Sequence, residues 1–238
     1  MSYRTFIRVI SLNILMIFVL NTNLYAGNQI ISKHEYKLYK GNILFGKSDY
    51  ILYKNNKDYT FEIKSKTAGV FKMKKDNRLE VSNFSMVDGI INPISYIFER
   101  VKKDKNISIK TFFNSADNYA QTFNQDEKKE HVNIPYSLDR LSVQIDYQNK
   151  MKKGVFENTY HVIDKGRLRE YLFLLHGDEV LDTIFGKTNT IIIKREIKNN
   201  KRSTLTWYAI DYGYIPVKIE QFRKDSRKFT VILNNVIK

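Results

Sequence analysis

The chain has no cysteine among its 238 residues. That excludes disulfide frameworks, thiolate zinc sites, iron–sulfur clusters, a cysteine nucleophile and a cysteine-linked lipid anchor. Proline occurs 3 times and glycine 10 times, so no Pro- or Gly-rich linker divides the chain and no glycine loop is arranged to cradle a phosphate or a dinucleotide. The G-x-S-x-G elbow and the S-x-x-K dyad are missing too, and with them the common hydrolase signatures. The 4 histidines, His34, His131, His161 and His176, lie far apart with no second ligand at a metal spacing. The expectation is no metal and no cofactor. Asp178, Glu179, Asp182 and Asp139 are the acids that could meet for acid–base work, although acids beside a glycine turn ordinarily hydrate it.

What is present is material for a core: 42% of residues are hydrophobic and 13% aromatic. One domain is the expectation at this length. The first stretch reads as an export signal. Arg4 and Arg8 precede an apolar run from Val9 to Leu20, and Leu24-Tyr25-Ala26 ends on the small residue that a signal peptidase needs, so cleavage is expected between Ala26 and Gly27. The run is too short for the roughly 20 residues of a bilayer span, and no later segment approaches that length. The predicted mature chain is then residues 27–238, a single domain exported most plainly to a periplasm.

Forty basic residues stand against 25 acidic ones, for a net charge of +15. Basic proteins invite a nucleic-acid reading. Export and the preference for lysine over arginine, 29 to 11, argue against one, because base and phosphate recognition favours the planar guanidinium fork. The charge instead suits anionic lipid or acidic glycan.

Beyond the signal, short runs of alternating apolar and polar residues are separated by turn residues, the period of half-buried strands. Tyr36 and Leu38 alternate before a Gly41-Asn42 turn, and further strands are expected over 43–53, 59–63, 79–87, 94–101 after Pro93, 107–113 and 119–123. Residues 125–130 read as a charged loop. From Val155 the pattern resumes over 156–163, 168–175, 180–185, 188–197, 204–211, 215–222 and 228–236, with a turn expected at His176-Gly177-Asp178. Leu138–Met151 carries both periods: Leu138, Leu141 and Ile145 are spaced for a helix behind a cap at Ser137, while Leu141, Val143, Ile145 and Tyr147 alternate as in a strand. Its length without a turn before Gly154 leans towards helix. The fold class is mainly β, a large curved antiparallel sheet forming an open or partly closed barrel, with one main helix near Leu138 to Met151.

Several short elements carry a resemblance. Gly46 in the partner of the Tyr36 strand, Asp88-Gly89 with Pro93 and Tyr96, Asp139-Arg140-Leu141-Ser142, Gly186, and Trp207-Tyr208-Ala209-Ile210-Asp211 followed by Pro216-Val217 occur in order along the chain. In these the sequence resembles the exported bacterial domain-of-unknown-function family 3108 and, more loosely, the half-barrel proteins that carry or sense lipoproteins. The resemblance implies a mostly β envelope domain without established activity, and a helix over Leu138–Met151. The motif residues have ordinary structural uses: Asp139 in a first helical turn, Ser142 bonding backbone, Trp207 in a core with a partner for its indole N–H, and Pro216 at a strand start.

The leading functional expectation is a non-enzymatic domain that takes an apolar or amphipathic ligand, an envelope lipid or an envelope protein, in a concavity lined by its many aromatics. The alternative is a basic scaffold module docking on anionic lipid or glycan; an uncharacterised hydrolase using carboxylates is more remote.

Overall fold

A computed structural model of the chain describes residues 28–237 apart from 75, 104 and 126. The expected export segment and its Ala26/Gly27 junction lie outside the described residues. The strands are β1 (Gln29–Lys40), β2 (Ile43–Asn55), β3 (Asp58–Thr67), β4 (Asp76–Val87), β5 (Ile90–Lys102), β6 (Lys105–Asn114), β7 (Tyr119–Asn124), β8 (Glu127–His131), β9 (Ser137–Asp139), β10 (Asn158–Asp164), β11 (Arg167–Thr183), β12 (Gly186–Ile197), β13 (Arg202–Ala209), β14 (Ile215–Arg223) and β15 (Ser226–Ile237), with one α-helix, α1 (Ser142–Met151). They form one 15-stranded sheet in which β1 pairs with β15, so the order runs from β8 down to β1 and on from β15 to β9. Every pairing is antiparallel except β9 with β10.

The sheet curls on itself without closing into a barrel. Its halves meet through side chains rather than a ladder: Ala120 on β7 and Ile163 on β10 share a small cluster with Ile134. A Cβ at Gly166, in the β10–β11 turn at φ +75, would lie 2.8 Å from Thr122 Cγ2 of β7. Glycine is needed there twice over, for the left-handed backbone and for the close approach.

Inside the curl sits α1. Val143, Tyr147 and Met151 recur every four residues and are fully buried, which is the helical period and not the strand period. Tyr147 stacks on Phe173 at 4.2 Å and meets Tyr160 and Tyr208 edge-on. Burying aromatic area of this kind is the main stabilisation available to a chain without disulfides.

Four expectations need correction. The helix starts at Ser142, because Leu138 and Asp139 belong to β9 and the Ser137 hydroxyl donates to Pro135 O instead of capping. Residues 127–131 form a strand and not a loop: β7 offers unpaired backbone groups, and β8 fills them while exposing all its side chains but His131, so no apolar alternation announces it. The turn expected at His176-Gly177-Asp178 is a bulge within one 17-residue strand, where Leu175 faces Ile193 and Gly177 faces Ile192. Pro93 lies inside β5, opposite the register shift at Asn83/Phe84, which tolerates its missing N–H.

Candidate functional site

The Asp139-Arg140-Leu141-Ser142 element joins sheet to helix. Leu141 N and Ser142 N donate to Asp139 Oδ1 at 2.7 and 3.0 Å, satisfying amides that a helix start would leave unpaired. The hydroxyls of Ser82 on β4 and Ser142 donate to Asp139 Oδ2, both at 2.7 Å. Burial pushes the Asp139 carboxyl above its ordinary range while those hydrogen bonds pull it back.

With its neighbours so fixed, Arg140 is directed into the curl. Its Nη1 lies 3.6 Å from Glu80 Oε2 and its Nε 3.3 Å from Asp164 Oδ1. Tyr96 donates to Glu80 at 2.6 Å, Tyr171 donates to Asp164 at 3.0 Å, and Arg169 Nε stands 3.5 Å from Asp164 Oδ2. Burial opposes the charge on Arg140, but Glu80, Tyr96 and Asp164 outweigh it and hold the guanidinium more firmly charged than usual.

This network forms one wall of a cavity of about 440 Å³ lined by seven basic side chains and two acidic ones, a size within the ordinary range for small-molecule sites. Arg195 lies 5.0 Å from the Tyr171 ring centre and donates through Nη2 to Thr204 Oγ1 at 3.0 Å. Lys165 Nζ sits 3.3 Å over the Phe98 ring. Burial, aided by the Arg140 charge, pulls its ammonium down to about 8. Among the described residues, the buried Nε–H groups of Arg140 and Arg169 have only the Asp164 carboxylate near them, and that of Arg195 is buried without a hydrogen-bond acceptor. A second lobe of about 270 Å³ shares Arg140, Lys165, Arg195 and Arg202 and continues onto Leu38, Ile219, Phe229 and Val231. The concavity is therefore cationic at its mouth, and the second lobe adds an apolar strip of Leu38, Ile219, Phe229 and Val231 to a lining that also holds Arg78, Glu80 and Gln144. Aromatics such as Tyr147 and Tyr160 fill the core around α1 rather than line the large cavity.

Of the residues expected from sequence, Arg140 reaches this cavity. Leu141 borders the second lobe, as does Pro216, the second residue of β14, whose carbonyl accepts from Tyr36. Gly46 lets β2 pass Leu38 and Lys66 closely. Asp88-Gly89 occupies a hairpin turn, Gly186 opens β12 directly after one with a left-handed backbone, and Asp211 is exposed in the 210–212 turn. Trp207 is buried and donates to Glu179 Oε2 at 2.7 Å, with Lys218 Nζ 3.9 Å over its ring. That engages Glu179 away from Asp178, its neighbour on the opposite face of β11, and Asp139 is far off under the helix. The acids considered for acid–base chemistry are not brought together. His34 packs edge-on to Tyr36 and His131 is buried in β8; burial lowers both below the usual imidazole range. No three His, Asp or Glu side chains among the described residues come close enough to share a metal ion.

Sequence reading missed Glu80, Asp164, Lys165, Arg169, Arg195 and Arg202. A signal existed for two of them: Arg169 is in phase with buried Tyr171 and Phe173, and Arg195 with buried Ile191, Ile193 and Ile197. A charge on the inward phase of a strand marks a polar interior.

Comparison with known families finds one described as a protein of unknown function, DUF3108, matching residues 35–232. No curated protein matches. Among solved structures, the chain is similar to a β-barrel-like protein of the unknown-function family DUF1849 from Brucella abortus, at 9% identity and TM-score 0.57, covering 86% of this chain and 96% of that one. It also aligns with a protein from Bacteroides fragilis described as exported and YmcC-like in fold, at 10% identity and TM-score 0.36, covering 89% and 97%. The first likeness concerns the fold alone.

Proposed function

The chain belongs to the DUF3108 family, whose description names no activity, and from that premise we propose that it is a non-enzymatic, exported binding domain for an amphipathic molecule with an anionic head. The head enters the cation-lined cavity and the apolar part lies along Leu38, Phe229 and Val231. The observation that carries this reading is the lining of that cavity by seven basic side chains against two acidic ones, with the Arg195 Nε–H buried beside it without an acceptor. Buried donors left unmatched are costly, and an anion relieves that cost with charge-assisted hydrogen bonds. An envelope lipid or lipid-bearing envelope protein has this chemistry.

Calorimetric titration with lysophosphatidic acid and with lysophosphatidylcholine of the same chain length tests it. The acid should bind at least about tenfold more tightly, and Arg195→Gln should weaken it by about tenfold, one charge-assisted hydrogen bond lost. Equal affinity for the two heads, or no binding of either, contradicts the proposal.

A further inference from the structure

In an antiparallel sheet alternate connections share an end. The β1–β2, β3–β4, β5–β6, β7–β8, β10–β11, β12–β13 and β14–β15 connections therefore gather at the end where the large cavity opens. With one flanking residue on either side of each, they hold 13 basic and 4 acidic residues among the described ones, against 3 and 5 for the connections at the other end. From this rim projects the β3–β4 connection, whose Gly69–Lys74 stretch is a 3-10 turn. Ala68 N donates to Phe45 O at 2.9 Å, and a Cβ at Gly69 would meet Leu44 O at 2.7 Å, so the turn is seated on β2 and not loose. At its tip Val70 is 80% and Met73 94% exposed, the highest among the large exposed hydrophobics, with Ile43 nearby at 55%. Lys72 shares the turn, and Lys102, Lys103 and Lys105 belong to the next connection on the same rim.

We propose that this rim docks on an anionic lipid bilayer, with Val70 and Met73 inserted at the level of the headgroups and the surrounding lysines paired with lipid phosphates. Apolar side chains held out of a basic collar match the interfacial anchors of peripheral proteins, in which burial and electrostatic attraction add. The same collar disfavours a second copy as the occupant, because a two-fold contact would set lysines against lysines. The docking is independent of the cavity ligand, and either can fail alone.

The cysteine-free chain permits a site-specific test. Met73→Cys, and Lys57→Cys at the opposite end as reference, are labelled in the full chain with an environment-sensitive fluorophore. Each is mixed with vesicles of one part phosphatidylglycerol to two parts phosphatidylcholine, or of phosphatidylcholine alone. The expected result is a blue shift and protection from an aqueous quencher at position 73 only, with the anionic vesicles only. Reversing Lys102, Lys103 and Lys105 to Glu should weaken that response roughly a hundredfold. No shift at position 73, an equal shift at position 57, or a response indifferent to the lysine reversals overturns the proposal. All the altered side chains are on the surface, and unchanged circular dichroism and melting show that a lost response is not lost folding.

Discussion

The two ends of the curled sheet solve opposite problems. At one end α1 enters the curl and fills it: Tyr147 donates to Phe156 O at 2.7 Å, Gln148 donates to Gly213 O at 2.8 Å, and the remaining space beside His34 and Tyr36 is about 60 Å³. At the other end the helix stops short, and about 440 Å³ is left among guanidinium groups. The plugged end invests its aromatics in packing; the mouth invests its charges in each other. A sheet that buries its core at one end can keep polar groups inside the other, provided each charge has a counter-charge or a ligand. On the function proposed above, stability belongs mainly to the plug and binding to the mouth.

The largest expected effect breaks the junction between them. Asp139→Ala leaves the hydroxyls of Ser82 and Ser142 and two helix amides without their acceptor, and should cost about 4 kcal/mol in denaturant unfolding. Arg195→Gln, within the mouth, should cost under about 1 kcal/mol, since its planar end rests on Tyr171 and Thr204. If the two losses are equal, the division of labour fails.

The rim has its own fastening. Arg100 donates to both oxygens of Asp76 at 2.8 and 2.6 Å, and this pairing holds the Asp76 carboxyl down to about 2. A carboxyl depressed in the folded state adds stability above its unfolded value near 3.8 that is lost as pH falls towards 2. Asp76→Asn should therefore lower stability by about 1 kcal/mol at neutral pH, solvent screening reducing the full linkage, and flatten the acid limb of the curve between those values. An acid limb identical in the two proteins would deny the pair this role.

Where the sheet edges meet, Gly166→Ala should cost about 1–2 kcal/mol by thermal melting, from the left-handed backbone and the Thr122 contact together. Adding Thr122→Ser removes the methyl that the new Cβ would strike and should recover part of the loss; no recovery would mean that backbone strain alone is responsible.

The smallest effect sharpens the mouth. Burial, with the Arg140 charge, pulls the Lys165 ammonium down to about 8, and an anion beside it raises that value. Binding near pH 8 should draw a proton from the buffer and weaken as pH rises through that value, and Lys165→Met should remove the uptake. Proton uptake is read from calorimetry in two buffers of different ionisation enthalpy.

Most of the fold was legible because alternation and turn residues are local signals: Gly41-Asn42, Asp88-Gly89 and Lys165-Gly166 each announce a hairpin. β8 was not, since an edge strand exposed on both faces carries no apolar period, and a bulge at Gly177 looks in sequence like a turn. The family elements pointed to Arg140 but not to its surroundings. Asp164 and Arg195 lie two strands apart on β10 and β12, but Glu80 comes from β4 in the other half and joins them only because the sheet curls, a long-range fact that no spacing encodes. The aromatic wealth fits packing first and a lined concavity second: Tyr147 and Tyr160 pack around α1, while Tyr50, Tyr208 and Phe229 border the second lobe.

The most direct test of the division between plug and mouth is an amide-resolved NMR titration with lysophosphatidic acid. The account predicts perturbations concentrated at Lys165, Arg169, Arg195 and Thr204, with Gln148, Phe156 and Tyr214 at the plugged end unmoved. Perturbations centred on the plugged end, or spread evenly over both, would contradict it.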